Sequence, residues 1–166
     1  MLGSVYIGLA PFASLIVNAV QFVSTAFSTF YLGTRLKKRL MYLSSGILMA
    51  ASAYLVGIGY VVSIEWMVLI FMIIFIFIYG LLFAPVNWSY PAEILPPSKV
   101  VLAITVSWIG LAVVTIFPPI IMEKMDQNAY PIFFFFGVYI SISLIYIGAK
   151  LVESKGRTYK QVIEDY

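Results

Sequence analysis

The chain has 166 residues, 63% hydrophobic and 10% charged, with a mean hydropathy of +1.03 and a formal net charge of +3. A soluble domain runs about 45–50% apolar and about 25% charged, so an ordinary soluble globule, a disordered tail and a nucleic-acid-binding arm are excluded. Cysteine and histidine are absent, which removes disulfides, thiolate chemistry, the commonest metal ligand and the commonest general base. No metal, cofactor or nucleic-acid partner is expected, and the chain reads as a non-enzyme.

A membrane-spanning helix needs about 20 mostly apolar residues. Five stretches qualify, at roughly 11–33, 40–63, 66–86, 100–122 and 131–149. None contains an acidic or basic residue, and a charge at bilayer depth costs about 2.5 kcal/mol or more. The fold expected is an all-α polytopic membrane bundle over residues 1–149, followed by a tail at 150–166. Residues 1–10 read as a short lead-in.

The first span carries Ser14, Asn18, Gln21, Thr25 and Ser28. Spacings of four and three put them on one helix face. Such a stripe lines a watery cavity or hydrogen-bonds a neighbouring helix; Asn18 and Gln21 are the candidates for a polar solute. The loop after it holds Arg35, Lys37, Lys38 and Arg39. The second span has Ser44, Ser45, Gly46, Ser52, Gly57 and Gly59, small residues that let helices approach closely.

The third span ends in GLLFAPVNWSYPAEILPP. Pro85 cannot donate to the Leu81 carbonyl, nor Pro91 to that of Asn87. The expectation is a kinked or partly unwound segment, with Gly80, Pro85 and Pro91 as hinge residues. Broken backbone at membrane depth is tolerated where protein or a water-filled cavity receives it, and solute sites often sit there. Asn87, Trp88 and Tyr90 lie between the prolines; they are either solute contacts or an interfacial aromatic belt. The fourth span brings Thr105, Ser107, Trp108 and Thr115, and Pro118-Pro119 mark a break or exit near its end. The fifth shows Tyr139, Ser143 and Tyr146 on one face.

Charge placement orients the spans. Arg35, Lys37, Lys38, Arg39, Lys99, Lys150, Lys155, Arg157 and Lys160 fall on one side, and only Lys124 on the other. The positive-inside rule puts the C-terminus in the cytoplasm and the N-terminus outside. A chain that begins outside with no basic residue before its first span is expected to be a fragment, a product of a split gene or a true five-span protein.

Two motifs at span ends resemble the sugar porter family of the major facilitator superfamily. One is Gly80, Pro85, Trp88, Glu93, Ile94 and Pro96, similar to that family's tenth-helix pattern. The other is Glu153-Ser154-Lys155-Gly156-Arg157-Thr158, similar to its cytoplasmic tail signature. Thr34 to Arg39 stands where the family has Asp-Arg-x-Gly-Arg-Arg, with Thr34 in place of the acid and Lys37 in place of the glycine. The resemblance implies helices eight to twelve of a twelve-helix transporter, most of one half of a major facilitator fold. It implies sugar contacts at Trp88, at Trp108 with Ser107, and at Asn18 or Gln21; Asn87 is added from its position between the prolines. It also implies a cytoplasmic lock made by Glu93, Arg35, Arg39 and Glu153.

The expected function is a portion of a hexose transporter working by alternating access, inactive alone because the N-terminal half, or a partner chain in its place, is missing. The expected partners are a monosaccharide and the lipid bilayer, most simply that of the plasma membrane. The alternative is a degenerate half-transporter serving as a membrane binding or assembly subunit.

Overall fold

The computed structural model describes residues 3–32, 35–124 and 130–151; Glu153 and the tail motif lie outside the described residues. Six α-helices occur among them: α1 (Gly3–Phe27), α2 (Lys38–Val62), α3 (Glu65–Ile78), α4 (Ala84–Ile94), α5 (Pro97–Lys124) and α6 (Tyr130–Lys150). A π-helical turn, Ser28–Leu32, extends α1, and a second, Tyr79–Phe83, joins α3 to α4 into one 30-residue span. Five helical spans are thus long and apolar enough to cross a membrane. In hydrocarbon the backbone must satisfy its own hydrogen bonds, and helices do so within one segment.

Three expectations need correction. The helix of the first span starts at Gly3, so residues 3–10 continue it and are no lead-in. The segment around Pro85 and Pro91 stays helical to Ile94 and is not unwound. The irregularity lies one turn earlier: in the π-turn the Ala84 N–H donates to the Tyr79 carbonyl. That resets the ladder, so Pro85 falls in the first turn of α4, where a missing N–H and a fixed φ cost little. Finally, Pro118-Pro119 do not end α5, which runs on to Lys124.

The bundle is organised around α2, half of whose span is buried. Its partner α6 meets it through reciprocal small-to-large contacts. A Cβ on Gly57 would stand 3.1 Å from the Phe134 ring, and one on Gly137 would stand 2.8 Å from the Tyr54 ring. The aromatics thereby sit where the glycines leave room, and Tyr60 stacks on Phe133 at 5.5 Å. The Ser141 hydroxyl donates to the Gly137 carbonyl at 2.8 Å, which leaves its oxygen to accept from the Tyr54 hydroxyl at 3.3 Å. Lipid is as apolar as leucine, so close packing and such hydrogen bonds hold these helices together.

A two-residue turn folds α3 back along α2. The Ile64 N–H bonds to the Gly59 carbonyl at 3.0 Å and the Ser63 N–H to that of Tyr60 at 3.2 Å, with Ser63 left-handed at φ 59°. This is the paired capping pattern that satisfies the last carbonyls of a helix. On the far side, the second π-turn packs on α1: a Cβ on Gly80 would meet the Ser24 hydroxyl and stand 3.0 Å from that of Thr25. At the opposite end of α2 a core of Met41, Val86, Tyr90 and Leu151 joins α2, α4 and the end of α6. Helix α5 touches α4 but buries no residue of its Ser98–Phe117 window.

Candidate functional site

The first turns of α2 and α5 and the last turns of α1, α4 and α6 lie at the same end of the bundle, because successive spans alternate in direction. That end carries Arg35, Lys37, Lys38, Arg39, Glu93 and Lys99. A cavity of about 720 Å³ opens between α1, the start of α2 and α4, with Gln21, Thr25, Thr29, Lys38, Trp88 and Ser89 among its lining. Small-molecule sites measure about 300–1,000 Å³ and combine an apolar lining with a few placed polar groups.

The polar stripe of α1 divides here. Gln21, Thr25 and Thr29, each four residues apart, line the cavity. The Thr29 hydroxyl donates to the Thr25 carbonyl at 2.8 Å. Ser28 turns inward instead, fully buried, and its hydroxyl makes no hydrogen bond among the described residues. Asn18 is exposed and stands outside the cavity lining.

Trp88 reaches the cavity from α4 and also meets Trp108 of α5, with ring centroids 5.9 Å apart and planes tilted by 47°. Both indoles are about half exposed, at 46% and 56%. The structure thus brings the two tryptophans together, across the sparse contact between α4 and α5. Ser107 is exposed, and its hydroxyl donates back to the Ala103 carbonyl at 2.9 Å. Asn87, though adjacent to Trp88, lines a different cleft with Tyr42, Tyr90 and Tyr146. Asn87 and Trp88, adjacent on α4, thus line different spaces.

At the charged end, Glu93 forms an ion pair with Lys38. Each stands at the helix end whose own dipole disfavours it, Lys38 at the start of α2 and Glu93 at the end of α4; because the helices run in opposite directions, each is favoured by the other's terminus. Arg39 donates to the Gly148 carbonyl of α6 at 3.2 Å. The Arg35 guanidinium lies 4.5 Å above the Tyr31 ring of the first π-turn, a cation–π geometry. Sequence reasoning passed over Lys38 as the partner of Glu93. The signal was present: Lys38, Met41, Ser45, Met49, Ser52 and Val56 recur at helical spacing on the buried face of α2, while Lys37 and Arg39 fall outside that stripe.

The model of the sugar (and other) transporter family matches residues 7–166. The chain belongs to this family. With five apolar helices of spanning length, this sugar-transporter family member is an integral, multi-pass membrane protein with a sugar-transport role. Family members are transporters, which agrees with the lack of any catalytic constellation in the sequence. No curated protein matches the chain.

Proposed function

We propose that this chain forms one wall of the path of a monosaccharide transporter that works by alternating access. The observation that carries the reading is the cavity lined by Gln21 and Thr25 of α1, Thr29 of the π-turn that extends it, and Trp88 of α4. Sugar hydroxyls pair with amide and hydroxyl groups, and the C–H face of a pyranose stacks on an aromatic ring. Trp88 and Trp108 supply that ring surface, and the Lys38–Glu93 pair ties α2 to α4 at the basic end in one state of the cycle. Opposite charges that meet in one state and part in another bias the equilibrium between them.

In this reading the five spans correspond to helices eight to twelve of the family's twelve, with the basic end and the C-terminus in the cytoplasm of a plasma-membrane protein. The second wall comes from the N-terminal half or a partner chain. The exposed faces of α1 and α5, where Phe22 is 75% and Leu102 63% exposed, are the surfaces such a half would cover. The same faces support the second reading, an assembly subunit without transport.

The test is hexose binding and uptake by the chain in liposomes. The isolated chain should give no saturable flux, since one polar wall does not enclose a solute. Stacking of this kind is worth about 1–3 kcal/mol, so Trp88→Ala should weaken hexose binding roughly ten-fold while Trp88→Phe retains part of it. Stereoselective uptake by the isolated chain contradicts the one-wall assignment, and unaltered binding in Trp88→Ala contradicts the site.

A further inference from the structure

Hydroxyl side chains on the spans are of two kinds. Ser24, Thr29, Ser45, Ser52, Ser107 and Thr115 each donate to a carbonyl three or four residues earlier on their own helix. That is the ordinary way for a serine or threonine to satisfy itself where no water is at hand. Thr25 and Ser89 do not follow it: their hydroxyls, like the Gln21 amide, make no hydrogen bond among the described residues. The Gln21 carbonyl, one turn before Thr25, accepts from the Ser24 hydroxyl instead, at 3.0 Å. Gln21, Thr25 and Ser89 are all half-buried and all line the cavity that Trp88 lines. Unpaired polar groups at membrane depth are costly, so the contents of the cavity supply their partners. Ser89 is the member of this set that sequence reasoning passed over.

We infer that Ser89 is a specificity-determining contact of this site, its hydroxyl sharing a hydrogen bond with a single hydroxyl of the hexose that lies on Trp88. The assignment rests on the reading of the cavity as a monosaccharide site. Consecutive Cα atoms stand about 3.8 Å apart, less than the width of a hexose, and both residues line the one cavity, so one sugar touches both. Stacking on an indole takes little account of which ring carbons carry hydroxyls. A serine on the wall does take account of it, since a sugar that lacks the partner hydroxyl leaves the serine unpaired. Gln21 and Thr25 serve other hydroxyls of the ring. Thr29 has its own proton committed to the Thr25 carbonyl and offers the sugar only an acceptor.

The experiment is a saturation-transfer NMR titration of the full chain in detergent micelles with D-glucose and with each of its monodeoxy analogues. Ser89→Ala should weaken glucose binding about five-fold, the worth of one neutral hydrogen bond. Ser89→Thr keeps the hydroxyl and should recover most of the affinity. One analogue, the one without the partner hydroxyl, should bind the wild type about as weakly as glucose binds Ser89→Ala, and should lose nothing further in that variant. The other analogues should lose as much as glucose does. Alanine is a good helix former, so Ser89→Ala keeps α4 intact. Thr105→Val, which removes a hydroxyl that donates to the Val101 carbonyl on α5 outside the cavity, should leave binding unaltered. A loss in Ser89→Ala shared equally by every analogue, an equal loss in Thr105→Val, or unaltered binding in Ser89→Ala alongside weakened binding in Trp88→Ala would overturn the assignment of Ser89 alone. Unaltered binding in Trp88→Ala, or no binding of any hexose, would overturn the monosaccharide reading and this assignment with it.

Discussion

Breaking the Lys38–Glu93 pair from its two sides should cost unequal amounts. The Lys38 side chain is 11% exposed and that of Glu93 44%. Removing one partner of a fully buried pair costs about 3–5 kcal/mol, because the other charge is left uncompensated. Glu93→Gln strands the more buried charge, but water reaches this pair through Glu93, so the cost falls to about 1–3 kcal/mol. Lys38→Met keeps the aliphatic stem and leaves only the half-hydrated carboxylate, at a cost under about 1 kcal/mol. The double variant should resemble Lys38→Met, since no buried ammonium remains to be stranded. Thermal unfolding of the full chain in detergent is the assay. At about 2–4 °C per kcal/mol for a chain of this size, Glu93→Gln should melt several degrees below the wild type and Lys38→Met within about three. A Lys38→Met melting point as low as that of Glu93→Gln would refute the burial argument.

Three further outcomes are expected. Gly80→Ala should destabilise by about 1–3 kcal/mol, because its Cβ meets the Ser24 hydroxyl of α1; an unchanged melting point would show that α1 and the second π-turn are not so closely packed. Ser28→Ala should be neutral or stabilising by up to about 1 kcal/mol, since the buried hydroxyl it removes makes no hydrogen bond among the described residues; a clear loss would reveal a partner for it. The chain contains no native cysteine, so single-cysteine labelling tests the orientation cleanly. An impermeant maleimide should reach Glu65→Cys in intact cells and Lys37→Cys only after permeabilisation, and the reverse pattern would invert the topology.

The five spans were legible in the sequence because lipid imposes a one-dimensional rule: about 20 apolar residues without charge make a helix whatever they pack against. The small residues of the second span likewise announced close packing, and Gly57 is where the Phe134 ring seats. The motifs around Trp88 and Glu93 pointed to the sugar-transporter family, which the match over residues 7–166 bears out. Tertiary structure decided the rest. Whether Pro85 breaks a helix depends on the hydrogen-bond register before it, and a π-turn packed against α1 set that register. That Lys38 meets Glu93 depends on helix phase, and Lys38 shares its phase with Met41 and Val56 on the buried face of α2. Asn87 and Trp88 look like one site in sequence, but the packing of the helices around α4 puts them in different spaces. Residue type and spacing fix what a helix offers; only the packing of its neighbours fixes which cavity receives each side chain.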